Sequence, residues 1–249
     1  MSKLFWFILI TFLLESNAYP KCSIQPIRIA VVDTGFGYEG RGQEAKLCKT
    51  GHKNFSGEIE YTMPGMTKVP VPLDKEGHGT NVVGVIESYA KKTNVDYCII
   101  IIKYYSGKHS HNNVLSTINS FNYADKIKAD FINYSSGGDG PYPKEKEAVE
   151  RYLNHGGHLV VAAGNDDNNL DLPGSNYYPA KYDRRITVVG ALSKKGLKLW
   201  FSNFGSIVNR WELGEDVPGY GLVKSGTSQA TAISTGKMVS ETKNKCVGK

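Results

Sequence analysis

Three short, almost unbroken apolar runs constrain this chain more than any other feature: residues 28–32 (RIAVV), 97–102 (YCIIII) and 158–163 (HLVVAA). A run with no polar alternation has no face to offer water, so as a strand it must be covered on both sides. Residues 130–134 and 186–191 have the same character. Between these runs the spacing turns helical over residues 80–90, 112–128, 144–154 and 228–239, and His155-Gly156-Gly157 stops the third. Buried strands alternating with helices predict an α/β fold: three layers, a mostly parallel sheet with helices on both faces. Sites in such sheets lie at the carboxyl ends of the strands. Asp33, Ser135-Ser136-Gly137 and Asn165 each follow one of the runs, which predicts polar candidates gathered on one rim.

The start of the chain reads differently. Lys3 precedes an apolar stretch over residues 4–14, and Ser16-Asn17-Ala18 supplies small residues at two positions before a cut. This is a secretory signal pattern with cleavage after Ala18. The stretch is shorter than the ~20 residues a spanning helix needs. The expectation is therefore a signal peptide over 1–18 and a single secreted domain over 19–249, extracellular or periplasmic, a monomer with no membrane contact once cut. The four cysteines Cys22, Cys48, Cys98 and Cys246 then allow up to two disulfides in three pairings, with a buried free thiol as the other reading of Cys98. The formal charge of +6 is scattered rather than clustered, which with no recognisable motif argues against nucleic acid as a partner.

Acyl transfer by serine needs a hydroxyl, a base for its proton, an acid to orient that base and donors for the oxyanion. Asp33, just past a buried strand in VVDTGFG, offers a rigid, partly dehydrated carboxylate. By itself it reads equally as a turn or cap residue, and an aspartic-protease reading would need a second Asp-Thr-Gly from a partner copy. His78 is the one histidine of six in a Gly-His-Gly setting ahead of an apolar helix; its bland reading is a structural residue near a helix start. Ser228 in SGTSQATAISTG follows a glycine and opens a helix whose first N–H groups lack partners, so those donors favour nearby negative charge. The plain alternative is a helix cap. Asn165 ends a strand in VVAAGND and can present a carboxamide N–H; its plain alternative is a turn residue.

Together these segments resemble the subtilisin-like serine peptidases. The resemblance rests on Asp33-Thr34-Gly35, His78-Gly79-Thr80, Ala162-Ala163-Gly164-Asn165 and Gly226-Thr227-Ser228, and it extends to residues 132–138 (INYSSGG). The order Asp, His, Ser is that family's. It implies a secreted endopeptidase with an Asp33–His78–Ser228 triad, an oxyanion site from Asn165 and the Ser228 N–H, and polypeptide substrates. Ser135, Ser136 and Gly137 would pair with the substrate backbone. Ala162, Ala163 and Gly164 would wall the primary pocket, with Tyr177 at its base limiting it to small or medium apolar side chains. A catalytically silent, peptide-binding relative is the competing reading.

The chain also departs from the family pattern. Asn81 stands where a second His is usual, Gln229 where Met is common and Ala232 where Pro is common. The stretch between Ala18 and the first apolar run is too short for the propeptide many relatives carry. No cofactor is expected: the calcium loop that many relatives have after the His78 helix has no counterpart, no metal ligands are assigned, and the acidic loop of Asp166, Asp167, Asn168, Asn169 and Asp171 reads as a solvated turn, with calcium binding, for which no clear site is seen, as its alternative.

Overall fold

The computed structural model describes residues 23–107 and 112–247; the signal pattern and Cys22 lie outside the described residues. In chain order these residues form β1 (Ser23–Gln25), β2 (Ile27–Asp33), β3 (Lys53–Asn54), α1 (His78–Ala90), β4 (Tyr97–Lys103), α2 (Asn112–Lys126), β5 (Phe131–Tyr134), α3 (Pro143–Asn154), β6 (His158–Ala162), β7 (Thr187–Leu192), β8 (Arg210–Leu213), β9 (Val217–Gly219), β10 (Leu222–Lys224), α4 (Thr227–Glu241) and β11 (Lys245–Val247). Seven strands make one sheet in the order β3-β4-β2-β5-β6-β7-β8. Every neighbouring pair in it is parallel.

The continuous apolar runs follow from burial on both faces. On β2, Ile27, Ile29 and Val31 join one core while Ala30 and Val32 join the other; on β4, Ile99 and Ile101 oppose Ile100 and Ile102 in the same way. The first core is closed by Val82 and Ile86 of α1 and Ala230 and Ile233 of α4. The second is closed by Phe121 and Ala124 of α2 and Val149 and Tyr152 of α3. Each fully buried Val, Ile or Leu contributes about 1.5–3 kcal/mol, so both faces of the sheet drive the three-layer arrangement. The small residues of α4 let it lie against α1: a Cβ on Gly236 would stand 2.5 Å from the Ile86 carbonyl oxygen.

All seven strands point the same way, so β2, β5 and β6 deliver Asp33, Ser135 and Asn165 to one rim. The sequence did not announce β3, β8, the β9–β10 hairpin or the β1–β11 pair, which are short. Helix α1 begins at His78, two residues before the expected start. Cys98 is not a free thiol: it forms a disulfide with Cys48, which ties the loop leading to β3 to the start of β4. No helix among the described residues is long and apolar enough to cross a membrane.

Candidate active site

Asp33 is the last residue of β2 and only 3% exposed. Its Oδ1 accepts the Thr34 N–H at 2.8 Å and the His78 Nδ1–H at 2.7 Å. A carboxylate can only accept, so this contact puts the proton of a neutral imidazole on Nδ1 and leaves Nε2 with a free lone pair. Close approach is possible because residue 79 is glycine: a Cβ there would stand 2.3 Å from the Gly35 carbonyl oxygen. Burial works against the imidazolium, but the Asp33 charge and hydrogen bond outweigh it, so His78 titrates above its ordinary value; Lys224 pushes the other way.

A residue the sequence reading passed over holds this pair together. Asp74 is 2% exposed and accepts five hydrogen bonds. Its Oδ2 takes the Thr80 N–H (2.9 Å) and hydroxyl (2.7 Å), capping α1 at the turn that carries His78. Its Oδ1 takes the N–H groups of Glu76 and Gly77 and the Thr34 hydroxyl, each at 2.9 Å. Thr34 Oγ1 in turn accepts the Gly79 N–H at 2.9 Å. The end of β2 and the start of α1 are thereby pinned through one carboxylate. The available signal was an Asp four residues before a helix-opening histidine.

Ser228 lies in the first turn of α4 and is 8% exposed. Its hydroxyl donates to the Ser135 carbonyl at 3.0 Å, not to His78, and the Ser135 hydroxyl donates back to the Ser228 carbonyl at 3.1 Å. A nearly buried hydroxyl needs an acceptor, and the Ser135 carbonyl supplies one. Serine has three staggered rotamers to choose from, and catalytic hydrogen bonds commonly tighten only once substrate is bound. Behind Ser135 the chain of bonds continues: Asn133 Nδ2 donates to Ser135 Oγ, and Thr235 Oγ1 of α4 donates to Asn133 Oδ1, both at 2.9 Å. The loop carrying Ser135 and the helix carrying Ser228 are thus fixed to one another. Ser135 also lines a cavity of about 310 Å³ with Asp33, His78 and Lys224.

Asn165 is exposed, and its Oδ1 accepts the N–H and the hydroxyl of Thr227, each at 2.9 Å. With the oxygen so occupied, the amide N–H₂ turns the other way. A Cβ on Gly226 would stand 3.7 Å from both Asn165 Nδ2 and the Ser228 nitrogen, with Gln229 Oε1 nearer at 3.0 Å, so both nitrogens lie beside this glycine.

Along the neighbouring groove, Gly138 exchanges backbone hydrogen bonds with Tyr178 at 2.9 and 2.8 Å. Ala162 and Ala163 are buried at the end of β6. The Tyr177 ring lies between Gly137 and Gly164: a Cβ on either glycine would come within 2.8 Å of it. Burial pushes the Tyr177 hydroxyl well above its ordinary range, so it stays neutral. Several groups of the acidic loop are bonded within the protein. Asp171 accepts the Ser206 N–H and hydroxyl, Asp167 pairs with Lys198 at 2.7 Å, and Asn203 accepts from the Asp166 and Asn168 N–H groups. Among the described residues no group of three or more His, Cys, Asp or Glu is placed to hold a metal ion.

The profile of the Subtilase family matches residues 25–244. The major intracellular serine protease of Bacillus subtilis (strain 168) is 28% identical over 200 residues, 77% of this chain and 59% of that protein. Alkaline protease 1 of Emericella nidulans is 32% identical over 216 residues, 77% of this chain and 50% of that protein. The chain therefore spans only part of the length of the curated relatives it matches. Among solved structures, a cold adapted subtilisin-like serine proteinase superposes with a TM-score of 0.63 at 22% identity, over 84% of this chain and 72% of that one.

Proposed function

The chain belongs to the subtilase family, and on that premise we propose that it is a serine endopeptidase in which Asp33, His78 and Ser228 carry the chemistry. The observation that supports this most directly is the 2.7 Å hydrogen bond from His78 to the buried Asp33. It orients the ring and favours the cation that forms when Nε2 takes a proton.

In this reading substrate binding turns the Ser228 hydroxyl from the Ser135 carbonyl toward His78. The oxygen attacks the scissile carbonyl carbon as its proton passes to Nε2. The carbonyl oxygen becomes an oxyanion held by Asn165 Nδ2–H and the Ser228 N–H, both at the positive end of α4. Collapse of this intermediate breaks the C–N bond, and the imidazolium gives its proton to the departing amine. Water then repeats the sequence on the acyl-enzyme. The substrate chain lies as an added strand along Ser135, Ser136 and Gly137. With the Tyr177 ring between Gly137 and Gly164, the pocket edged by Ala162, Ala163 and Gly164 is shallow and favours small or medium apolar side chains. We further assign residues 1–18 as an export signal on their pattern alone.

The test is to purify the mature chain and its Ser228→Ala variant and assay casein cleavage and labelling by an organophosphonate probe. Both signals in the parent and neither in the variant support the reading. Neither signal in a folded parent leaves a peptide-binding relative without hydrolysis.

A further inference from the structure

A second cavity, about 220 Å³, opens beside the groove on the far side of the strand that follows β5. It shares Tyr104, Tyr105 and Ser136 with the cavity at His78, and Gly137 and Gly138 border it, so the two adjoin along the proposed substrate strand. Its lining has an unusual composition. Tyr104, Tyr105, Tyr134, Tyr142 and Tyr178 surround a single ionisable acid, Glu145.

Glu145 sits in the first turn of α3 and is only 6% exposed. Its Oε2 accepts the Tyr182 hydroxyl at 2.7 Å. No Lys, Arg or His among the described residues forms an ion pair with it, and its neighbour Lys146 pairs with Glu150 instead. A carboxylate this buried, with one hydrogen bond and no countercharge, is costly in the free protein; burial accordingly raises its pKa, against the pull of the Tyr182 hydroxyl. What would relieve it is a cation delivered from the open side. The tyrosine rings suit the same guest, since aromatic faces attract ammonium and guanidinium groups. An apolar guest would use the rings and leave the acid stranded.

We propose that this cavity is a subsite for a positively charged side chain, Lys or Arg, carried by the bound polypeptide on the N-terminal side of the cleaved bond, with Glu145 as its counter-ion. The assignment rests on the endopeptidase reading above and adds to it the charge class of an upstream substrate residue.

The experiment is a positional scan with fluorogenic peptides, one upstream position varied at a time, on the parent and on Glu145→Gln. Glutamine keeps the size of the side chain and an acceptor for Tyr182. One upstream position should favour Lys and Arg over Gln and Leu by about tenfold in kcat/KM, on the strength of a countercharge combined with aromatic faces. The variant should lose most of that preference while cleaving neutral peptides as the parent does. A second arm needs no variant. Acetylating the lysine of the best peptide removes only its charge and should cost the parent a similar factor. Cleavage with no basic preference, a preference for Leu or Phe, or a preference that survives both Glu145→Gln and acetylation would overturn the assignment and leave the endopeptidase reading standing. No cleavage of any peptide, with no phosphonate labelling, would remove both.

Discussion

The Gln229 side-chain amide donates to the Asn81 carboxamide oxygen at 3.0 Å, joining the helix of the proposed nucleophile to the helix of the proposed base. Asn81 Nδ2 donates in turn to the carbonyls of Leu222 (2.8 Å) and Val217 (3.2 Å), which clamps the β9–β10 hairpin over α1. Both side chains are fully buried. These are two of the positions at which the chain departs from the family pattern, and they touch. A thioether at 229 has no hydrogen to give Asn81.

Gln229→Met should therefore cost about 1–3 kcal/mol, the range for a buried polar atom left without its partner. Combining it with Asn81→His should cost less than the sum of the single changes, with a coupling of about 0.5–3 kcal/mol. Urea unfolding of the four proteins in the cycle measures this. Additive costs would mean the contact carries no specific energy.

Asn165 offers a cleaner separation of catalysis from folding. Its oxygen is used structurally, by Thr227, and its nitrogen is the proposed oxyanion donor. Asn165→Asp keeps acceptors for Thr227 but replaces the donor with a negative oxygen. We expect kcat to fall at least as far as the roughly 10²–10³ known for loss of the corresponding donor in subtilisin, a magnitude taken over from that enzyme. KM and the melting temperature should change little. A variant with unchanged kcat would remove Asn165 from the mechanism.

How much of this was legible beforehand depends on how local each signal is. The buried strands and the four helices announce themselves, because apolar runs and 3.6-residue spacing are properties of neighbouring residues. Asp33, His78, Asn165 and Ser228 stand out because each follows a strand or opens a helix beside glycines. Asp74 and Glu145 were overlooked for the opposite reason. Each is one acid in a polar stretch, and its role exists only through partners distant in sequence, Thr34 for one and Tyr182 for the other. The β8 strand and the β9–β10 hairpin are too short to show a period. The rotamer of Ser228 depends on a carbonyl 93 residues away.

Asp74 should behave as a positioning residue. Asn in its place has one acceptor oxygen and an amide that itself donates, so it cannot receive the five hydrogen bonds now made to the carboxylate. In Asp74→Asn we expect kcat to fall by about 10², the scale of an ångström-level misplacement of a reacting group, with KM nearly unchanged. Loss of Asp74 also removes a charge that favours the imidazolium, so the acidic limb of the rate profile should move to lower pH. A variant that is merely less stable, with the parent's limb, would reduce Asp74 to a helix cap.

The pH profile tests His78 more directly. Its pKa is raised, and only the neutral ring can take the Ser228 proton, so kcat/KM should fall as pH drops through a value above 6.5. Lys224→Met removes a like charge and should move that limb higher still, by less in high salt. The same shift has a stability consequence of opposite sense. The Asp33–imidazolium pair contributes fully below the ordinary histidine value, and that contribution is lost as pH rises through the raised one. A limb that moves down in Lys224→Met would contradict the arrangement.

The Cys48–Cys98 disulfide should matter for stability and not for chemistry. It closes a loop across a separation of 50 residues, for which chain entropy alone implies about 4 kcal/mol. Its anchor is well tied to the sheet: the Cys48 N–H donates to the Ile99 carbonyl, and His52 spans from the Cys48 carbonyl to the Ile101 N–H. Cys98 is the second residue of β4, whereas the proposed site lies past the carboxyl ends of the strands. The Cys48→Ser/Cys98→Ser variant should therefore unfold at markedly lower denaturant and temperature, yet keep its kcat/KM under conditions where it remains folded. Loss of activity in the folded variant would show that strain at the start of β4 reaches the opposite rim, which the rigid parallel core argues against.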